Sequence, residues 1–154
     1  MLVAAVVAAL GFGLYRAATD GRFRGTRRVG GALDEPSVPA QSTPSVAELA
    51  GQAGLTLEPG ERATLLQFSS AFCAPCRATR RVLADVAAIV PGVTHVEVDA
   101  EHHLELVRRV GVLRTPTTLV LDAAGREVTR ASGALRKEQV LTALASAMPD
   151  QPRS

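Results

Sequence analysis

Apolar positions along the chain change period several times, and each change marks an element. Ala63 to Phe68 is a short apolar run of buried-strand length, closed by the small and polar Ser69, Ser70 and Ala71. Beyond it, Val82, Leu83, Val86, Ile89 and Val90 recur at helical spacing and form one apolar stripe. Pro91-Gly92 ends that helix by removing an N–H and permitting a left-handed turn. Val93 to Val98 alternates apolar with polar, as a strand does. Asp99 to Val110 reads as a helix with Leu104, Val107 and Val110 on its inner side, and Thr118 to Leu121 as an apolar strand. Asp122-Ala-Ala-Gly125 forms a hairpin turn, and Arg126 to Ala131 returns as a second strand broken by Ser132-Gly133. A last helix covers Arg136 to Met148, with Val140, Leu141, Leu144 and Met148 facing inward. A further helix, Ser45 to Gln52, comes before all of these, opened by Ser45 as N-cap with Glu48 three residues on. Strands alternating with helices place the chain in the α/β class.

The chemistry enters at the junction of the first strand and the helix after it. Cys73-Ala74-Pro75-Cys76 holds the two cysteines of the chain. Two thiols at this spacing can close a small disulfide and reopen it, although half of a zinc site has the same spacing. Cys73 stands at the helix mouth, and Pro75 suits a first turn that has no use for every N–H. Unpaired N–H groups and the helix dipole favour an anion there. Cysteine thiols in such settings fall from about 8.5 to roughly 3.5–7.5. Arg77, Arg80 and Arg81 follow within about a turn and a half. These features make Cys73 the candidate attacking thiolate and Cys76 the candidate resolving thiol.

Several separated segments resemble the thioredoxin family over residues 45–148. They are Phe68-Ser-Ser-Ala-Phe72-Cys73-Ala74-Pro75-Cys76-Arg77, Val98-Asp99, Val110-Gly111-Val112-Leu113-Arg114-Thr115-Pro116-Thr117, Leu121 to Arg126, and Ser132 to Leu135. The resemblance implies a thioredoxin-like fold with a mixed central sheet flanked by helices. It implies thiol–disulfide exchange through Cys73 and Cys76, and a cis Pro116 facing the redox pair. It further implies that Thr115 offers its backbone to a substrate peptide. Substrate would then lie against Phe72, Ala74, Pro75, Thr115 and Pro116. Three positions depart from the family. Phe72 stands where a tryptophan is usual, Ala74 replaces a glycine, and Gln67 occupies the place of a buried acid on the preceding strand. An amide cannot move a proton as a carboxylate does; His95 and Glu97 lie on the next strand, with their faces left open by sequence.

Residues 1–15 carry no charged side chain, and Arg16, Arg22, Arg24, Arg27 and Arg28 follow, interrupted by Asp20. A spanning helix takes about 17–25 apolar residues, a length that residues 1–18 reach if Arg16 snorkels. A secretory signal would carry a basic segment before the apolar run, and none is present. The expectation is therefore one N-terminal transmembrane helix over 1–18 and a single-pass membrane-anchored protein. The arginines put the redox domain in the cytoplasm by the positive-inside rule, with the extracytoplasmic side as the other possibility. Residues 19–44, rich beyond residue 30 in Gly, Pro, Ser and Ala, read as a basic flank and flexible linker. Residues 149–154 read as a tail.

The chain holds 17 basic and 15 acidic residues, net +2; without Arg16–Arg28 it holds 12 and 14, net −2. The positive charge is thus local to the stretch after the apolar run. No basic patch with interleaved aromatics points to nucleic acid. His102-His103 beside Asp99 and Glu101 lack a second close ligand pair, so they read as a solvated helix face and no metal site is expected. No flavin or nicotinamide motif is present, so no cofactor is expected. Partners expected are protein disulfide substrates and an upstream electron donor, either a protein or a low-molecular-weight thiol. Two alternatives stay open. One is a redox-sensing or interaction module with little turnover; the other is an outward-facing exchanger for secreted or cytochrome-maturation clients.

Overall fold

The computed structural model describes residues 6–7, 9–13, 15, 23–25 and 44–148. Five strands, β1 (Arg24–Gly25), β2 (Ala63–Ser69), β3 (Val93–Asp99), β4 (Thr117–Asp122) and β5 (Glu127–Ser132), form one sheet in the order β1-β5-β4-β2-β3. β2 and β3 run parallel, whereas the β2–β4, β4–β5 and β1–β5 pairs are antiparallel. The sheet is therefore mixed, as expected. Among the described residues it is accompanied by the helices α1 (Val46–Gln52), α2 (Ala74–Ile89), α3 (Leu104–Val110) and α4 (Lys137–Ala147). The parallel pair requires a crossover, and α2 supplies it.

β2 is an interior strand between β4 and β3, and every residue of it is buried, which explains its unbroken apolar reading. Its alternate side chains feed two cores. Leu65 joins Leu83, Val86, Val120, Val140 and Leu144 beneath α2 and α4. Leu66 and Phe68 join Val46, Val98, Leu106 and Leu119 beneath α1 and α3. Fixing β2 from both sides fixes the strand end from which the Cys73 loop departs.

The helix starts and turns follow local chemistry. Ser45 caps α1 with a reciprocal box: the Glu48 N–H donates to Ser45 Oγ at 3.1 Å, and the Ser45 N–H donates to Glu48 Oε2 at 2.6 Å. In the hairpin turn, Asp122 Oδ1 accepts from the Ala124 and Arg126 N–H groups at 2.9 and 3.0 Å. Gly125 has φ +72, and a Cβ there would come within 2.5 Å of Ala47 Cβ. Its carbonyl accepts the Val46 N–H at 3.0 Å, so the turn docks directly on α1.

Several sequence expectations are corrected. Residues 99–103 are not helical; α3 begins at Leu104 because Asp99 closes β3 and its Oδ1 accepts the Glu101 N–H at 2.8 Å. Leu106 and Val110 therefore face the core, while Leu104 is exposed. Ile89 and Leu141, at the edges of their stripes, are also exposed. The transmembrane helix over 1–18 and the single-pass membrane location are overturned as well. No helix among the described residues is long and apolar enough to cross a membrane. The described residues between 6 and 15 are helical. Within 19–44, Arg24–Gly25 pairs with β5 at the sheet edge, and Phe23 packs on the first core. The rest of the linker before Pro44 and the tail 149–154 lie outside the described residues.

Candidate functional site: the Cys73–Cys76 redox centre

Cys73 and Cys76 are joined as a disulfide across the first turn of α2, with Cα atoms 5.2 Å apart. Cys73 is the N-cap of the helix, and its Sγ accepts the Cys76 N–H at 3.1 Å. Pro75 lies in the first turn, where its missing N–H costs nothing. The two sulfurs differ in access. Cys73 is half-buried, whereas Cys76 is 1% exposed and faces the sheet. When the disulfide opens, the outer sulfur is the one that sits on the open N–H groups of α2 and is reachable by another molecule. The inner sulfur is screened by the fold.

The rim is built from two loops. Ala74 and Pro75 are exposed, and Phe72 is 97% exposed. The Thr115–Pro116 peptide is cis. Pro116 is buried and Thr115 half-buried. Ser70 Oγ and Thr115 Oγ1 are 3.3 Å apart, which ties the loop entering Cys73 to the residue before the proline. The proline segment is held from behind: the Gly133 N–H donates to the Pro116 carbonyl at 2.8 Å, and Thr117 Oγ1 donates to the Arg114 carbonyl at 2.7 Å. Of the residues expected at the site, Phe72 and Cys73 precede α2, Ala74, Pro75 and Cys76 form its first turn, and Thr115 and Pro116 stand just before β4. Ser70 and Leu113 were passed over in sequence. Leu113 is 95% exposed beside the proline segment, and its only signal was an apolar residue outside any periodic element.

Beneath Cys76 the site is polar. Gln67 is fully buried on β2, and its Nε2 donates to the Cys76 carbonyl at 3.0 Å. Its Oε1 lies 3.2 Å from His95 Nε2. In the parallel β2–β3 register Gln67 stands opposite Glu97, so Gln67, His95 and Glu97 share one face of the sheet. Glu97 is engaged separately. It accepts from Ser69 Oγ at 2.6 Å and pairs with Arg80 at 2.7 Å. Burial pushes the His95 imidazole below its ordinary value, Glu97 pulls it back up, and Arg80 adds to the lowering. The ring is therefore neutral near pH 7.

Of the three arginines after the motif, Arg80 is thus spent on Glu97, while Arg77 and Arg81 are exposed on α2. His102 Nδ1 pairs with Asp99 Oδ2 at 3.0 Å in the turn before α3. Among the described residues no group of three or more His, Cys, Asp or Glu side chains could hold a metal ion.

This geometry can be compared with known proteins. Residues 49–147 match the family described as Thioredoxin-like domain. The chain is 30% identical over 89 residues to Thioredoxin H-type 1 of Nicotiana tabacum, covering 58% of this chain and 70% of that protein. It is 32% identical over 90 residues to Thioredoxin of Alicyclobacillus acidocaldarius subsp. acidocaldarius, covering 58% and 85%. Among solved structures, thioredoxin NaTrxh from Nicotiana alata superposes with TM-score 0.52 at 25% identity, covering 57% of this chain and 75% of that one. A disulfide-forming Cys-x-x-Cys pair set on this fold is the apparatus of a thiol–disulfide oxidoreductase, and the chain belongs to the thioredoxin-like family.

Proposed function

We propose that the protein reduces disulfides in other proteins, with Cys73 as nucleophile and Cys76 as resolving thiol. The observation that carries this reading is the asymmetry of the pair: an accessible Cys73 sulfur on the helix N-terminus, with Cys76 buried behind it. In the first step the Cys73 thiolate attacks a client disulfide sulfur, forming a Cys73–client disulfide and releasing one client thiolate. Cys76 then loses its proton, and its thiolate attacks Cys73 Sγ. The Cys73–Cys76 disulfide forms and the second client thiolate leaves. Two electrons pass to the client, and an upstream protein or a low-molecular-weight thiol must return two to the pair.

Phe72, Ala74, Pro75, Thr115 and Pro116 form the client-binding rim in this reading. Phe72 offers an apolar face, and Thr115 offers backbone groups to an extended peptide. Reductant rather than oxidant is favoured by the likeness to thioredoxins. At the pair itself one N–H donates to Cys73 Sγ, and Arg80 is paired with Glu97.

Trapping provides the test. With Cys76→Ser the first step proceeds and the second cannot, so covalent Cys73–client adducts accumulate, visible with oxidised insulin as client. Cys73→Ser forms none. Adducts on neither variant, or on Cys73→Ser alone, would overturn the assignment.

A further inference from the structure

Single exposed apolar side chains are ordinary on a protein surface. Phe72 and Leu113 are not scattered singly. Among the described residues 44–148 they are almost fully exposed, whereas the other exposed large apolar side chains, Ile89, Leu104 and Leu141, are each partly covered. Phe72 stands immediately before Cys73, and Leu113 two residues before Thr115. The Ser70–Thr115 hydroxyl contact joins the two segments that carry them. Val112, next to Leu113, is buried in the second core, so the backbone there is anchored while the leucine is left to solvent.

Charge is distributed unevenly as well. Residues 69–84 and 111–121, which carry the cysteine pair and the cis proline, contain Arg77, Arg80, Arg81 and Arg114 and no acid. Arg77 is the residue after Cys76, and its N–H lies 3.4 Å from the Cys73 carbonyl. With Ser70 and Ala71 of the loop entering Cys73 it lines a cleft of about 290 Å³, which Glu97 and Asp99 also line. Both acids are engaged. Glu97 accepts from Ser69 and pairs with Arg80; Asp99 accepts the Glu101 N–H and pairs with His102. Arg77 is exposed and has no carboxylate partner among the described residues.

We propose that Leu113 and Arg77 set the client specificity of the redox centre, which favours protein segments with an apolar and an acidic side chain beside the cysteine of the disulfide. This rests on the reading of Cys73–Cys76 as the exchanging dithiol. Leu113 gains by covering apolar surface that water otherwise meets, and Arg77 by meeting a carboxylate. Both act on client binding and leave the exchange of electrons to the two sulfurs. An exposed ion pair or a partly covered leucine changes affinity by up to about fivefold, and the ionic part falls with salt.

The test uses single-disulfide peptides and the pre-reduced protein in single turnover. One pair of peptides differs only in Asp against Lys beside a cysteine, a second only in Leu against Ser. Each rate constant is divided by that of the same peptide with dithiothreitol, which removes the peptide's own reactivity. Asp over Lys, and Leu over Ser, are each expected by at least about threefold, with the Asp preference shrinking at high salt. Arg77→Glu should abolish or reverse the Asp preference, and Leu113→Ser should lower the Leu preference at least about twofold. Both side chains are exposed, so neither substitution removes a core contact. Arg108→Glu, on α3 beneath the other face of the sheet, makes the same change in net charge and should keep the Asp preference. Equal normalised rates within either pair would overturn the proposal. So would preferences untouched by Arg77→Glu or Leu113→Ser, or an Asp preference lost in Arg108→Glu. If the pre-reduced protein reduces none of the four peptides, the oxidoreductase reading itself fails. Reduction of all four without preference defeats only this inference.

Discussion

Leu83 and Ile89 belong to one sequence stripe on α2, yet the fold treats them oppositely. Leu83 is 0% exposed, set among Leu65, Val86, Val120 and Leu144, whereas Ile89 is 56% exposed at the helix end. Truncating Leu83 to Ala removes buried methyl groups from a core held by α2, β2, β4 and α4. Such changes cost about 2–5 kcal/mol, and a site walled by four elements collapses poorly, so about 3 kcal/mol is expected. For a domain of roughly 105 residues this lowers Tm by roughly 15 °C. Ile89→Ala should stay within about 0.5 kcal/mol. Urea melts of both variants with the disulfide closed compare them against one unfolded reference. A cost below about 1 kcal/mol at Leu83, or equal costs at both positions, would refute the packing argument.

Asp122→Ala should destabilise the domain by about 1–2 kcal/mol at pH 7, because three donors from Ala124 and Arg126 converge on the carboxylate. Burial pulls the Asp122 carboxyl upward, but those hydrogen bonds outweigh it and hold it below the ordinary value. Its contribution is thus complete above about pH 3.9 and is lost as the pH falls through the folded value. Acid denaturation curves of wild type and variant should therefore converge at low pH; a constant gap would count against this. Phe72→Ala should leave stability unchanged, since the ring is 97% exposed. It should raise KM for a protein client about fivefold, equivalent to about 1 kcal/mol of apolar contact. An unchanged KM would remove Phe72 from the client rim.

The local rules that sequence carries were the ones the structure follows most closely. β2 was legible because both its faces are buried, α1 because Ser45 and Glu48 form a capping box, and the redox turn because Cys73, Pro75 and Cys76 each have a fixed place in a helix start. What periodicity missed depends on tertiary contacts. Asp99 could continue a helix or close a strand, and its pairing with Ser69 in the sheet decides for the strand. Ile89 and Leu141 fit their stripes by angle but lie where no element covers them. An uncharged run at residues 1–15 suggests a membrane helix, whereas no helix among the described residues is long and apolar enough to cross a membrane. The Gln67–His95 contact needed the β2–β3 register, which places both on one face and which no local pattern encodes.

The reduction potential of the Cys73–Cys76 pair tests the central claim most directly, by equilibrating the protein against thiol redox buffers and quantifying the disulfide. A value near about −270 mV, that of a thioredoxin, is predicted for a protein-disulfide reductant. A value near about −120 mV would mark a disulfide donor and contradict the direction assigned here. Failure to form the intramolecular disulfide at any poise would contradict the oxidoreductase itself.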